Sequence, residues 1–156
     1  MMVSSKGKYA LRVMLDMAEH SCEDNISLGD IAKRQNLSRK YLESIMTLLA
    51  KHGLVKSCTG KVGGYKLCKD PGEYKIGEIL YAAEGELVPV SCLSKDESKK
   101  CQGECTCYTL PFWRGLEENI NAYINSYTLL DLLNEKHNTP DCRCGSDNVE
   151  IKGNEE

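Results

Sequence analysis

No stretch of the 156-residue chain reaches eighteen consecutive apolar residues, so no helix in it is expected to cross a membrane. The start, MMVSSKGKYALRV, has no apolar block followed by a small-residue cleavage site, and we expect no secretory signal. No C-x-x-C stands beside a βαβ pattern, no glycine-rich loop is placed to cradle a phosphate, and no spacing supports a Ser, His and Asp set. The histidines His20, His52 and His137 stand apart from one another. These absences argue against an enzyme, a small thiol oxidoreductase included, and we expect no catalytic residue. No internal repeat is visible. The length is that of one domain with an appended element.

The net charge of −3 and a pI near 5.7 speak weakly against nucleic acid as a partner. The average hides two unlike halves. Residues 1–70 hold 12 Lys and Arg against 7 Asp and Glu, a net of +5. Residues 71–156 hold 8 against 16, a net of −8. Such asymmetry points to a basic working module joined to an acidic one, with chance surface charge as the plainer explanation.

Nine cysteines is a high count for this length. The number is odd and no secretory signal is expected, so we expect no disulfide framework and a cytoplasmic location. Cys92, Cys101, Cys105 and Cys107 fall within CLSKDESKKCQGECTC, which is polar and without helical or strand period, and so reads as a loop. A thiol-dense loop in a reducing cell is most often a metal site. Thiolates suit an iron–sulfur cluster and zinc alike. Cys101 and Cys105 have the gap of a zinc knuckle, but Cys92 stands alone, and spacing leaves cluster and zinc both open. Cys22, Cys58 and Cys68 are expected to pack as small apolar residues. Cys142 and Cys144 lie in the polar stretch PDCRCGSDN, where a C-x-C pair can bind metal; we take it as idle.

Periodicity organises the rest. Tyr9, Ala10, Val13, Met14, Met17 and Ala18 share one face of a helix over 7–22. Ser27 and Asp30 start a short helix with Leu28, Ile31 and Ala32 inward. Asn36-Leu37 makes a turn, and Ser38 caps a longer helix with Leu42, Ile45, Met46 and Leu49 inward, ended by Gly53. Strand-like runs at 54–58 and 65–70 flank TGKVGG and form a projecting hairpin. Helix, turn, helix and glycine-rich hairpin in this order make a winged helix-turn-helix, with an ordinary helical subdomain as the plainer reading.

On this pattern Ser38, Arg39, Lys40, Tyr41 and Glu43 begin the recognition helix and meet base edges. Lys61 at the hairpin tip reaches a phosphate or the minor groove. Ser5, Lys6 and Tyr9 hold backbone phosphates near the first helix's start. A helix with Ile76, Ile79, Leu80 and Ala83 inward follows Pro71-Gly72. Beyond the cysteines, Pro111 suits the first turn of a long helix carrying Phe112, Leu116, Ile120, Tyr123 and Tyr127, and Thr128 with Asp131 starts a short last one. We expect those five apolar residues to form a two-fold dimer seam, because helix-turn-helix proteins usually read paired half-sites on double-stranded DNA. The chain thus divides into a DNA-binding domain (1–70), a connecting helix (71–91), a cysteine-rich loop (92–107), a dimerisation helix with a short last helix (108–134) and a polar tail (135–156), expected to be disordered. The fold class is mainly α with a small β-hairpin.

The segments SSKGKYALRVMLDMA, LGDIAKRQNLSRKYLESIMTLLAKHGLV, GGYKL and IGEILYAAEG, then the cysteine loop and FWRGLEENI with YTLLDLL, resemble the IscR/NsrR/CymR-type family of winged-helix regulators over about residues 1–134. The resemblance implies a homodimeric prokaryotic transcription regulator or repressor reading a pseudo-palindromic operator. It implies a recognition helix at Ser38–Lys51, a wing at Val55–Lys69 and a long dimer helix. It also implies an iron–sulfur cluster, [2Fe–2S] or [4Fe–4S], on three loop cysteines: Cys107, six residues before Trp113, with Cys101 and Cys92. The family's histidine ligand falls at Leu110 and its aspartate ligand at about Lys8, neither of which serves, so Cys105 is the candidate fourth ligand. The usual wing arginine is replaced by Thr59, with Lys61 as a substitute. The same resemblance allows a cluster-free regulator that senses through thiol chemistry, zinc or a partner enzyme.

Overall fold

The computed structural model describes residues 3–20, 25–59, 63–99, 101, 103 and 106–138. Its elements run α1 (Ser5–Glu19), α2 (Leu28–Gln35), α3 (Arg39–Lys51), β1 (Val55–Cys58), β2 (Gly64–Leu67), α4 (Ile76–Glu84), α5 (Leu110–Ser126) and α6 (Leu129–Asn138).

Local chemistry explains the boundaries. The hydroxyl oxygens of Ser4, Ser27 and Ser38 each accept a backbone N–H from the first turn of α1, α2 and α3, at 3.1, 3.1 and 3.3 Å. Asn36 ends α2 in the left-handed region, φ 52°, which Asn tolerates better than most residues. Thr128 and Asp131 bond reciprocally at the start of α6. The apolar spacing then does its part. Met14, Ile31, Ile45, Leu49, Ile79 and Leu129 come from α1, α2, α3, α4 and α6 and are at most 1% exposed. Each fully buried side chain of this size contributes roughly 1.5–3 kcal/mol.

The hairpin pairs Val55 with Leu67, Lys56 with Lys66, Ser57 with Tyr65 and Cys58 with Gly64. Ile26 adds a further rung: its N–H and C=O bond the backbone of Tyr65 at 3.0 and 2.9 Å. A Cβ on Gly64 would stand 2.5 Å from the Ile26 carbonyl oxygen, so this approach requires glycine. The wing is thereby sewn to the chain just ahead of α2. Beyond it, α4 packs on α1 and α3, α5 lies along α4, and α6 rests on α1.

The mainly helical fold with a small hairpin is as expected. Several details differ. Helix α1 runs over Ser5–Glu19 rather than 7–22, because Ser4 supplies the cap. Cys68 is exposed, since it lies beyond the last strand pair with its side chain outward; Cys58 is half-buried, and Cys22 lies outside the described residues. The cysteine segment contains two short 3₁₀ turns, at Ser91–Leu93 and Glu97–Lys99. Tyr127 falls one residue past α5, in extended backbone. Helix α6 extends to Asn138, past the expected start of the polar tail, and residues 139–156, with Cys142 and Cys144, lie outside the described residues.

Candidate nucleic-acid interface and thiol loop

Helix α3 presents its inner residues to the core and leaves Arg39, Lys40, Glu43, Ser44 and Thr47 exposed. Together with the start of α2 and strand β2, this outer face frames an open groove of about 750 Å³. Its lining includes Ser27, Gly29, Arg39, Glu43, Thr47 and Tyr65. Arg39 Nε stands 3.2 Å from Glu43 Oε1, one helical turn on. Ser38 uses its oxygen as the helix cap and keeps its hydroxyl hydrogen available as a donor. Thr59 is exposed at the end of β1, and Lys61 lies outside the described residues.

Tyr41 is half-buried and meets Tyr9 of α1 edge-to-face, with centroids 5.9 Å apart. Lys8 and Arg12 stand 5.6 and 5.4 Å from the Tyr9 ring centre, in range for cation–π attraction. The pair of rings therefore ties α1 to α3 and holds two cations beside the start of α3.

The start of α1 is already occupied. Glu84, the last residue of α4, accepts the N–H of Ser4 at 3.0 Å, the Ser4 hydroxyl at 2.7 Å and the N–H of Gly7 at 3.0 Å. A Cβ on Gly7 would come within 2.3 Å of that carboxylate. Ser5 and Lys6 are exposed beside it. A phosphate approaching this helix start meets a carboxylate, so any contact there falls to the Ser5 and Lys6 side chains and not to the helix's own N–H groups.

From Glu86 the chain holds itself by short-range bonds. Glu86 accepts the Lys95 N–H at 2.7 Å and the Ser94 hydroxyl at 2.5 Å, and both hold its carboxyl below the usual range. Asp96 accepts the Ser98 hydroxyl at 2.7 Å and N–H at 3.0 Å, which lower it likewise. Cys92 is half-buried, while Cys101 and Cys107 are exposed, and all three are free thiols. Cys107 Sγ lies 3.3 Å from the Thr109 hydroxyl, which with the Thr109 N–H lowers the Cys107 thiol below its ordinary value. Cys105 lies outside the described residues. Among the described residues no group of three His, Cys, Asp or Glu side chains converges as a metal site. Leu110, where the resemblance places a histidine, is buried.

Helix α5 covers α4 with one face and leaves apolar side chains on the other. Phe112 and Tyr123 are each 65% exposed and Leu116 is 36% exposed, while Ile120 and Tyr127 are half-buried. Tyr123 and Tyr127, whose ring centres are 5.3 Å apart, both line an apolar cavity of about 210 Å³ with Leu11, Ile76 and Leu132.

Two polar anchors were not anticipated from sequence. Asp16 is 3% exposed and receives Arg34 Nε at 2.7 and 2.9 Å, locking α1 to α2. Glu84 had a legible signal: a carboxylate in the last turn of a helix opposes the macrodipole and so asks for an outside partner. Asp16 had none, because its place one turn after Val13 and next to Met17 does not name its cation.

Comparison with known proteins agrees with this geometry. The Rrf2 family model, described as iron-dependent transcriptional regulator, matches residues 3–135. The HTH-type transcriptional regulator IscR of Serratia proteamaculans (strain 568) is 40% identical over 136 residues, covering 87% of this chain and 81% of that protein. IscR of Yersinia enterocolitica is 39% identical over the same shares. Among solved structures, T. potens IscR superposes with a TM-score of 0.70 and 34% identity, covering 90% of this chain and 93% of its own. CymR, the global cysteine regulator of B. subtilis, gives 0.70 and 33%, covering 86% and 98%. The chain therefore belongs to the Rrf2 family and is a winged-helix transcriptional regulator.

Proposed function

We propose that the chain is a homodimeric DNA-binding regulator whose operator affinity is set by an iron–sulfur cluster in the 92–107 segment. The observation that carries this reading is the position of the thiols. They lie between Glu84, which grips the start of α1, and α5, whose outward face is apolar. A change in the loop therefore bears on both the DNA head and the dimer helix.

Helix α3 enters the major groove. Arg39 and Lys40 donate to guanine or phosphate, Glu43 accepts from cytosine N4, and Ser38 and Tyr41 flank them. Pairing with Arg39 keeps the Glu43 charge from standing alone against the phosphates. Thr59 and Lys61 contact the backbone or minor groove from the wing. Phe112, Leu116, Ile120 and Tyr123 on α5, with Tyr127 just beyond it, form the dimer seam, which sets the spacing of two half-sites.

The donor set fits a cluster in kind: Cys92, Cys101 and Cys107 are unpaired thiols, with Cys105 as fourth, and Thr109 favours the Cys107 thiolate. The cluster would supply a redox- and iron-dependent constraint on the loop. Holding it requires Cys92, Cys101 and Cys107 to be drawn together. A coupling of about 1–3 kcal/mol, roughly 5–150-fold in operator affinity, suffices for control. The test is an anaerobic absorption spectrum with iron and sulfide analysis, repeated for each of the four cysteines changed to alanine. Absorbance between about 320 and 450 nm that is lost in the Cys92, Cys101 and Cys107 variants is expected. If removing iron changes neither operator affinity nor sequence preference, the reading fails. An unchanged cluster in Cys105→Ala would remove that residue from the ligand set.

A second reading is a cluster-free regulator acting through zinc, thiol oxidation or a partner enzyme. It is favoured by the lack of convergence among the described thiols and by the likeness to CymR. Colourless protein containing zinc would support it.

A further inference from the structure

Tyr74 sits between the hairpin and α4 and is fully buried. Its hydroxyl donates to the Leu54 carbonyl at 2.7 Å. The same oxygen accepts the N–H groups of Cys68 and Lys69, each at 2.8 Å. Leu54 leads into β1, and Cys68 and Lys69 leave β2. One phenol oxygen therefore ties both feet of the wing. The backbone of Tyr74 faces the other way: its carbonyl accepts the Leu129 N–H at 3.0 Å, at the junction of α5 and α6. Lys69 Nζ stands 5.4 Å from the Tyr74 ring centre and 2.8 Å from Glu78 on α4, adding a brace at the same foot. Burial pushes the Tyr74 phenol up, which keeps the donor proton in place through the neutral range.

An apolar ring alone would fill this part of the core. The hydroxyl is bonded to three backbone groups, all at the feet of the hairpin. A hairpin of four-residue strands is about 13 Å long. A pivot of about 10° at its base moves the tip by about 2 Å, more than a hydrogen bond tolerates. The angle at the base decides whether the wing tip reaches the duplex while α3 is seated.

We infer that Tyr74 is a positioning residue for DNA binding: its hydroxyl sets the wing against the recognition helix. This rests on the DNA-binding reading above. The test uses the full chain and a duplex that the wild-type protein selects from a random pool. Binding is measured by fluorescence anisotropy for wild type, Tyr74→Phe, Lys61→Ala and the double variant. Tyr74→Phe is expected to weaken binding about tenfold, the loss of one or two phosphate contacts. Lys61→Ala is expected to weaken the wild type about fivefold and the Tyr74→Phe protein less than about twofold, because a displaced wing has no contact left to lose.

Unchanged binding by Tyr74→Phe overturns the inference. So do independent, additive effects of the two substitutions, which would mark a general loss of stability, and so does a Lys61→Ala change without effect in the wild type. If the wild type selects no duplex, the DNA reading falls and takes this inference with it. Should Tyr74→Phe not fold, amide exchange on the wild type decides. The Lys69 amide, which donates to the Tyr74 oxygen, is expected to exchange as slowly as core helix amides, and exchange as fast as an exposed loop amide overturns the role of the hydroxyl.

Discussion

The winged-helix head and the cysteine segment are built on opposite terms. In the head, helices α1 to α3 are each capped by a serine, their apolar faces close on one core, and the buried charge of Asp16 has its own guanidinium. In the segment from Glu86 to Thr109, only Leu87 and Ser94 are buried among the described residues, and order comes from bonds of Glu86 and Asp96 to neighbours within ten residues. A surface that must match a duplex benefits from a frame fixed before binding. The proposed function asks the other segment to respond to a ligand, and such segments are drawn from the low-stability end. The two regions meet at Glu84 and Gly85, the last turn of α4 and its exit.

Matched truncations should break the comparison most sharply. Leu49→Ala in the fully buried face of α3 is expected to cost about 2–5 kcal/mol, whereas Leu93→Ala, at a half-buried position of the cysteine segment, should cost less than about 1 kcal/mol. Urea unfolding of both checks this, and equal losses would mean that the segment is as tightly packed as the head. Asp16→Ala comes next, at about 2–3 kcal/mol, because it leaves Arg34 and Gln35 facing an emptied site. Its midpoint in the same titration should fall between the first two.

Acid should separate the regions further. The carboxyls of Glu86 and Asp96 are lowered by the hydrogen bonds they accept. Their contribution is present above the ordinary carboxylate range, near pH 4, and is lost as pH falls through their lower folded values. Amide protection at Lys95 and Ser98 should therefore decline below about pH 4 while that of Leu49 persists. Parallel decline would show that the segment and the core open together. The smallest expected effect is at Cys107. Thr109→Val removes the hydroxyl that favours the thiolate, and iodoacetamide labelling of Cys107 at pH 7 should slow roughly twofold to threefold. An unchanged rate, followed by mass spectrometry, would remove Thr109 from any part in that thiol's chemistry.

Much of the head is legible in the chain itself. Ser27, Asn36, Ser38 and Gly53 mark helix ends by local hydrogen bonding and left-handed backbone, and the buried faces of α3 and α4 follow their apolar spacing. The cysteine segment is legible in composition only. Its thiols stand out, but whether they face one another depends on chain directions that no period encodes. The +5 half likewise locates the DNA module without showing that Glu84, from the acidic half, fills the start of α1.

The sequence by itself determined the elements, their order and the chemistry available to them, because caps, turns and helical faces arise between residues a few positions apart. Tertiary structure alone decided the Asp16–Arg34 lock across 18 residues and the Glu84 grip on Ser4 across 80. It also decided the outward turn of Cys68 and the hold of Tyr74 on both feet of the wing. Those contacts depend on which helix faces meet, and that is settled only when the shared core closes.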